Sequence, residues 1–152
     1  MNTRNGVCDI QFDRKDIKMN KLYATTLEGN CLVYDLRTYH PTEGYACLTE
    51  RVGDSTIWGV RVIPQNRDLC VTMNGSGTLK LFKYDYPNQR KLEDAEGHWK
   101  GVPGSLELLN DKVTAQQPVV GLDFNSGKLG LAVQCALDQT VKVLIVTKLN
   151  LY

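Results

Sequence analysis

The chain has 152 residues, with 18 lysines and arginines against 17 aspartates and glutamates and a formal net charge of +1. Hydrophobic residues at 42% and charged residues at 23% are typical of a globular protein. Because nucleic acids and anionic membranes attract basic surfaces, this near-neutral balance argues against both partners. No apolar run approaches the roughly 20 residues of a membrane-spanning helix. We therefore expect a cytoplasmic protein.

Three segments of the chain repeat one pattern of short strands. Each begins with a first strand, at 7–12, 57–62 and 119–124, and continues with two strands joined by a tight turn, at 22–35, 70–83 and 132–145. Equivalent apolar positions in these two strands are eight residues apart in every copy: Tyr23 and Cys31, Val71 and Leu79, Val133 and Val141. A constant spacing with variable loops is typical of one supersecondary unit used three times.

The composition of each unit predicts strands. β-Branched and aromatic residues are frequent, and clusters rich in Gly, Asn, Asp and Ser separate the runs. Gly75-Ser76-Gly77-Thr78 is typical of a hairpin turn that needs positive φ. The middle strands, such as 70–73 and 132–135, are apolar on more than one face, as in a sheet stacked between two others. We predict an all-β fold.

We predict three blade-like units, at residues 1–52, 53–115 and 116–152. We expect outer strands at 44–49 and 105–109, whereas the third unit lacks one. Propellers close with 4 to 8 blades of four strands, so three units predict an incomplete ring with exposed strand edges and apolar faces. The expectation is a fragment, or a product that lacks N-terminal blades.

The units resemble WD40 repeats. The stretch 138–144 is similar to the turn and third strand of such a repeat, Val33-Tyr34-Asp35 stands where Leu-Trp-Asp closes one, and 57–61 is similar to a first strand. No Gly-His dipeptide stands directly before the first strand of any copy, and Lys83 and Ile145 stand where the closing Asp is found. Packing, rather than a conserved polar network, must therefore stabilise these blades.

The whole chain more specifically resembles the C-terminal part of the Monad-type family of WD-repeat proteins (WD repeat-containing protein 92). The similar stretches are 5–8, 12–17, 19–22, 64–67, Tyr86-Pro87 and, most specifically, 138–150. The resemblance implies a seven-bladed propeller that acts as a non-catalytic adaptor for an R2TP-type, prefoldin-like co-chaperone. It also implies a role in cytoplasmic preassembly of axonemal dynein, and an association with apoptosis.

A long insert at 85–104 separates the second and third units. It is mixed in charge and is either a solvated loop or a protein contact made through Tyr86, Arg90 and Trp99, because Trp, Tyr and Arg dominate interface anchors. A second motif, Tyr34-Asp35-Leu36-Arg37, resembles the box by which some WD propellers bind a cullin-type ubiquitin ligase adaptor. The alternative function is thus a ligase substrate receptor, unless Arg37 only pairs with a nearby carboxylate.

The remaining chemistry-bearing residues do not suggest catalysis. The five cysteines lie in apolar, strand-like stretches and are expected to be buried small hydrophobes: Cys8, Cys31, Cys47, Cys70 and Cys135. His40 and His98 have no partner at metal-ligand spacing. Neither paired catalytic carboxylates nor a nucleophile–base motif is evident. We expect a non-enzyme without metal, cofactor or small-molecule substrate, whose partners are proteins.

Overall fold

A computed structural model describes residues 5–13 and 21–152. Within these residues the chain forms thirteen β-strands and one short 3-10 helix, and no α-helix. The strands assemble into three successive antiparallel sheets and one separate hairpin. The all-β prediction is therefore confirmed. No helix in the described part of the chain is long and apolar enough to cross a membrane.

The first sheet, blade 1, contains four strands in sequential order. They are β1 (Val7–Phe12), β2 (Lys21–Thr26), β3 (Asn30–His40) and β4 (Gly44–Arg51). A register shift between Asp35 and Tyr39 interrupts the pairing of β3 with β4. Such an irregularity bends a strand and redirects its side chains, and Arg37 lies within it.

The second sheet, blade 2, has the same plan with a hairpin inserted before its outer strand. In chain order the strands are β5 (Ile57–Ile63), β6 (Asn66–Asn74), β7 (Thr78–Asp85), β8 (Lys91–Glu93), β9 (Trp99–Gly101) and β10 (Ser105–Val113). Strands β5, β6, β7 and β10 form the sheet, in that order, while β8 pairs only with β9. We call the β8–β9 unit, residues 91–101, the insert hairpin.

The third sheet, blade 3, has three strands in the described structure. They are β11 (Val119–Phe124), β12 (Leu131–Ala136) and β13 (Val141–Ile145), followed by the 3-10 helix Leu149–Leu151. The outer strands expected at 44–49 and 105–109 correspond to β4 and β10. Three consecutive propeller-type blades confirm the predicted architecture.

One backbone hydrogen bond recurs in all three blades and confirms the repeat alignment. A residue in the hairpin turn donates its N–H to the carbonyl just before the first strand: Leu27 to Gly6 at 2.9 Å, Gly75 to Thr56 at 2.8 Å, and Leu137 to Pro118 at 3.0 Å. Turn and first strand are therefore fixed to each other in the same way in each copy. Equivalent positions in the three blades can be compared directly.

Most of the core lies between blades, and a smaller cluster of Ala24, Leu32 and Tyr34 lies within blade 1. Blade 1 contributes Tyr23, Cys31 and Val33 to a buried cluster with Val60, Val62, Cys70 and Phe82 of blade 2. The opposite face of blade 2 contributes Val71, Met73, Leu79 and Leu81 to a second cluster, with Leu122, Phe124, Ala132 and Ala136 of blade 3. Both faces of blade 2 are therefore buried, which explains why its strands are apolar on both sides.

The first strands of the blades lie side by side. The Gln11 side chain accepts a hydrogen bond from the Val62 N–H at 2.7 Å, and Arg61 Nε donates to the Leu122 carbonyl at 3.0 Å. These two side chains occupy equivalent positions, each reaching from one blade to the innermost strand of the next. The three sheets are thus arranged around the side formed by β1, β5 and β11.

One expectation about the cysteines is wrong. Cys31 and Cys70 are buried, as predicted, and Cys8 and Cys47 are half-buried, but Cys135 is exposed. Cys135 lies on the face of blade 3 that points away from blade 2, since its neighbour Gln134 is buried against blade 2. Cys135 is thus exposed although it belongs to an apolar strand, because nothing in the described structure packs over that face of β12.

Gly77, in the hairpin turn of blade 2, contacts the segment that leads from blade 2 to blade 3. Its φ is +79°, its carbonyl accepts N–H groups from Thr114 and Ala115, and an added Cβ would lie 2.1 Å from the Ala115 oxygen. Gly44 has a similar φ of +77° but open space around it. Gly44→Ala should cost about 1 kcal/mol from left-handed strain alone, whereas Gly77→Ala should cost more than about 2 kcal/mol because backbone must move. Urea unfolding checks both values, and equal losses would contradict this account.

Candidate functional site

A buried lysine joins blades 1 and 2 at one end of their strands. Lys21, at the start of β2, is fully buried, and its Nζ donates to Asp68 Oδ1 at 2.6 Å and to the Tyr86 hydroxyl at 2.5 Å. The Tyr86 hydroxyl in turn donates to the same Asp68 oxygen at 2.9 Å. Burial lowers the pKa of Lys21, and the Asp68 carboxylate opposes that shift. This triangle satisfies a buried charge that would otherwise be very costly.

Tyr86 is also the centre of a cluster of cations. Lys21 Nζ and the Arg90 guanidinium each lie 4.5 Å from the centre of its ring, and the Arg37 guanidinium lies at 5.3 Å. Tyr84 packs edge-on against the same ring at 5.1 Å. Burial raises the pKa of Tyr86, as does the neighbouring Asp68 carboxylate. The phenol therefore stays neutral and serves as a cation–π platform.

Arg37 is held by its neighbour Asp35. Its Nε donates to Asp35 Oδ1 at 2.8 Å, a second guanidinium nitrogen donates to Oδ2, and its backbone N–H also donates to Oδ1 at 3.0 Å. Burial opposes ionisation of Asp35, but these hydrogen bonds outweigh it and lower the pKa of that carboxyl. The Arg37 side chain is 19% exposed. The ligase-adaptor hypothesis needs this guanidinium for a partner, and it stays a prediction.

The insert hairpin belongs to the second unit in sequence but packs on blade 1. At Gly101 a Cβ would come within 3.0 Å of the Ala46 side chain on β4. Lys100 Nζ pairs with Glu43 at 2.5 Å, and His40 Nε2 lies 2.9 Å from Asp94 Oδ2. The chain therefore leaves blade 2 near Tyr86, crosses to blade 1, and returns to form β10.

His40, Asp94 and His98 form the group of potential metal ligands found in the described part of the chain, with ligand atoms within 4.8 Å of one another. The hydrogen bonding of His40 favours a different role. Its Nδ1 accepts the backbone N–H groups of Thr42 and Glu43 at 3.4 and 3.2 Å. A neutral imidazole then carries its proton on Nε2, which donates to Asp94 and is not free to bind a cation. The group works as a clamp between the hairpin and blade 1.

Asp94 also organises the turn of the hairpin. Its Oδ1 accepts the backbone N–H groups of Glu96 and His98 at 2.9 and 2.8 Å, while Oδ2 accepts from His40. The His40 hydrogen bond, followed by those from the backbone, lowers the pKa of Asp94 to about 2. The carboxylate is therefore charged under all ordinary conditions and keeps the clamp closed.

The four candidate residues from the sequence divide into two groups. Arg37, Tyr86 and Arg90 come together around one aromatic ring, whereas Trp99 lies apart on the hairpin, with Lys91 Nζ 4.2 Å from its ring centre. Trp99 and Leu92 are both nearly half exposed. The outer surface of the hairpin thus offers exposed aromatic, aliphatic and basic side chains that a protein partner can bury.

Comparison with known proteins points to one group of relatives. No family model matches the chain. Curated proteins named "Dynein axonemal assembly factor 10" align over 98% of the chain at 54% identity in Homo sapiens, 53% in Xenopus laevis and 49% in Chlamydomonas reinhardtii. The chain spans 42% of the length of these relatives. Homologues of about 50% identity therefore cover essentially the whole chain.

A solved structure supports the fold alone. The crystal structure of Sqt1 from Chaetomium thermophilum superimposes with a TM-score of 0.59 over 92% of this chain and 30% of that one, at 12% sequence identity. The two chains thus share a fold although their sequences differ, as expected when packing between blades determines the architecture.

The Tyr86 hydroxyl should matter for stability, unlike an exposed one. Tyr86→Phe removes a group that accepts from the buried Lys21 ammonium and donates to Asp68, so we expect a loss of about 1.5–3 kcal/mol, as for hydrogen bonds to charged groups. Tyr39, whose side chain is exposed, is the matched control, and Tyr39→Phe should stay within about 0.5 kcal/mol of wild type. Equal free energies of unfolding for the two variants would disprove the role of the triangle.

Acid should weaken the attachment of the insert hairpin to blade 1. Because the folded pKa of Asp94, about 2, is below its usual value near 3.8, its contribution is complete above about pH 4 and is lost as the pH falls toward 2. Hydrogen exchange of the hairpin amides should show more protection in wild type than in Asp94→Asn at neutral pH. The two proteins should converge near pH 2. A difference that persists to pH 2 would exclude this explanation.

Proposed function

We propose that this chain is part of a dynein axonemal assembly factor and acts as a non-catalytic, WD-type propeller scaffold in the assembly of axonemal dynein. The observation that carries the proposal is 49–54% identity over 98% of the chain to proteins of that name from an alga, a frog and human. The proposal applies to the part of these relatives that this chain matches, which is 42% of their length.

The insert hairpin is the proposed contact for a protein partner. Lys91 and Trp99 on the hairpin, and Arg90 directly before it, present basic and aromatic groups, and Trp and Arg are enriched among interface anchors. The His40–Asp94 and Lys100–Glu43 contacts hold the hairpin on blade 1 before any partner arrives. A preorganised surface loses less conformational entropy on binding.

The proposed partner class is a co-chaperone. The resemblance to Monad-type proteins supports an adaptor for R2TP-type ATPases and prefoldin-like subunits in the cytoplasm. The hairpin is mixed in charge, so its exposed Trp99 and Leu92, rather than its net charge, favour contact with such a subunit. Affinity purification should recover these subunits, and their consistent absence would reject the adaptor role while leaving the dynein-assembly role open.

A chimera tests the dynein-assembly role. In a Chlamydomonas reinhardtii strain that lacks its own assembly factor 10, a relative whose matching 150 residues are replaced by this chain should restore dynein heavy chains to isolated axonemes. We expect restoration because the two segments are 49% identical. Quantitative mass spectrometry of axonemes measures the outcome. A stably expressed chimera that restores no dynein would overturn the proposal.

The same chimera tests the hairpin. Trp99→Ala combined with Arg90→Ala should reduce axonemal dynein several-fold, because two exposed anchors are removed. Leu108→Ala is the matched control, since Leu108 is also half exposed but lies on the outer strand β10 of blade 2. Equal restoration by the double variant and the control would locate the partner contact elsewhere.

A further inference from the structure

Two arginines from different parts of the chain meet at the junction of blades 1 and 2. The guanidinium of Arg37, on β3 of blade 1, lies 5.3 Å from the centre of the Tyr86 ring, and that of Arg90, which follows β7 of blade 2, lies 4.5 Å from it. Burial raises the pKa of Asp35, but hydrogen bonds from Arg37 and the positive charges of Arg37 and Arg90 lower it overall. Both guanidinium groups therefore act on the same carboxylate and belong to one electrostatic cluster.

Asp35 fixes Arg37 without using its whole guanidinium group. Nε and Nη2 of Arg37 donate to the two carboxylate oxygens of Asp35, while Nη1 makes no hydrogen bond to the described residues. The Asp35 side chain is only 5% exposed, so it is held in place by its surroundings. Arg37 is thus positioned by one edge and keeps hydrogen-bond donors for a ligand.

Arg90 has no carboxylate of its own. The two carboxylates of the cluster are already paired, Asp35 with Arg37 and Asp68 with Lys21. Arg90 is exposed and forms no ion pair with the residues that the structure describes. The cluster therefore combines three cations with two carboxylates, and its unbalanced positive charge lies on the exposed member.

We propose that Arg37 and Arg90 bind a phosphoryl group carried by a serine or threonine side chain of a partner protein. A phosphoryl group has three terminal oxygens, so it can accept from both guanidinium groups at once, whereas one arginine fork already occupies the two oxygens of a carboxylate. Its charge of about −1.5 to −2 near neutral pH suits this site, because the exposed Lys91 follows Arg90 and has no carboxylate partner among the described residues either.

The structure holds this site ready before a ligand arrives. Tyr86 carries both guanidinium groups and is itself fixed by hydrogen bonds to Lys21 and Asp68. Ordered arginines lose less side-chain entropy on binding than free ones do. The inference deepens the partner contact proposed for the insert hairpin and rests on it, since Arg90 lies directly before that hairpin.

Nuclear magnetic resonance of the 152-residue chain, with the arginine side chains labelled with ¹⁵N, tests the site. The ligands are a blocked tripeptide with phosphoserine between two glycines, the same tripeptide with glutamate or unmodified serine, and inorganic phosphate. The phosphoserine peptide should shift the Nε–Hε signals of Arg37 and Arg90 with a millimolar dissociation constant. It should bind at least about fivefold more tightly than the glutamate peptide, and the serine peptide should shift neither signal.

Three variants locate the binding. Arg90→Gln changes an exposed side chain and should weaken binding of the phosphoserine peptide at least about tenfold. Arg37→Gln should do the same, and if the loss of the Asp35 partner unfolds it, the Arg90 variant decides alone. Arg51→Gln is the matched control, because Arg51 is an exposed arginine at the end of β4, and binding should stay within about twofold of wild type.

Four results would overturn the proposal: equal shifts with the phosphoserine and serine peptides, equal or tighter binding of the glutamate peptide, unchanged binding by Arg90→Gln, or an Arg51 signal that shifts as much as that of Arg90. Inorganic phosphate that binds at least about fivefold more tightly than the peptide would reject a partner's side chain as the source. These ligands require no dynein or co-chaperone. A failure here therefore leaves the chimera experiment unaffected, and a failed chimera leaves the affinity for the phosphoserine peptide unchanged.

Discussion

Tyr23, Cys31 and Val33 form one face of blade 1, and they are buried only because β5, β6 and β7 of blade 2 pack over them. The same relation holds one blade further on, where Val71, Met73, Leu79 and Leu81 are covered by blade 3. Each fully buried aliphatic or aromatic side chain contributes about 1.5–3 kcal/mol, whereas an exposed ion pair contributes about 1 kcal/mol at most. Stacking of sheets therefore stabilises this fold, and no sheet is self-sufficient.

The polar contacts between blades depend on that stacking. Lys21 is buried at the edge of the first junction, where the carboxylate of Asp68 and the hydroxyl of Tyr86 stabilise its charge. A shift of one blade against the other would leave this ammonium without partners. The hydrogen bonds among Lys21, Asp68 and Tyr86 thus stabilise one alignment of blades 1 and 2. The ring of Tyr86 also contacts the guanidinium groups of Arg37 and Arg90.

The insert hairpin combines a structural and an interaction role. It follows Tyr86, is attached to blade 1 through His40 and Glu43, and displays Trp99 and its basic neighbours outward. A partner bound there would contact a rigid surface rather than a free loop.

The sequence alone determined the blades. The constant spacing of eight residues, the Gly-rich turns and the β-branched runs act locally, so the strands, their order and the two outer strands could be predicted from them. The candidate residues Arg37, Tyr86 and Arg90 could be named, but their meeting around one ring could not. Lys21 and Asp68 are 47 residues apart, and His40 and Asp94 are 54 apart, so no local pattern relates them.

Only the tertiary structure decided which of these side chains are buried. Lys21 is charged yet fully buried, whereas Val143 and Cys135 belong to apolar strands yet are exposed. The residues of a strand determine its tendency to form a sheet and which side chains lie on each face of that sheet. Burial depends on what packs over each face, and for most of the core that is the neighbouring blade.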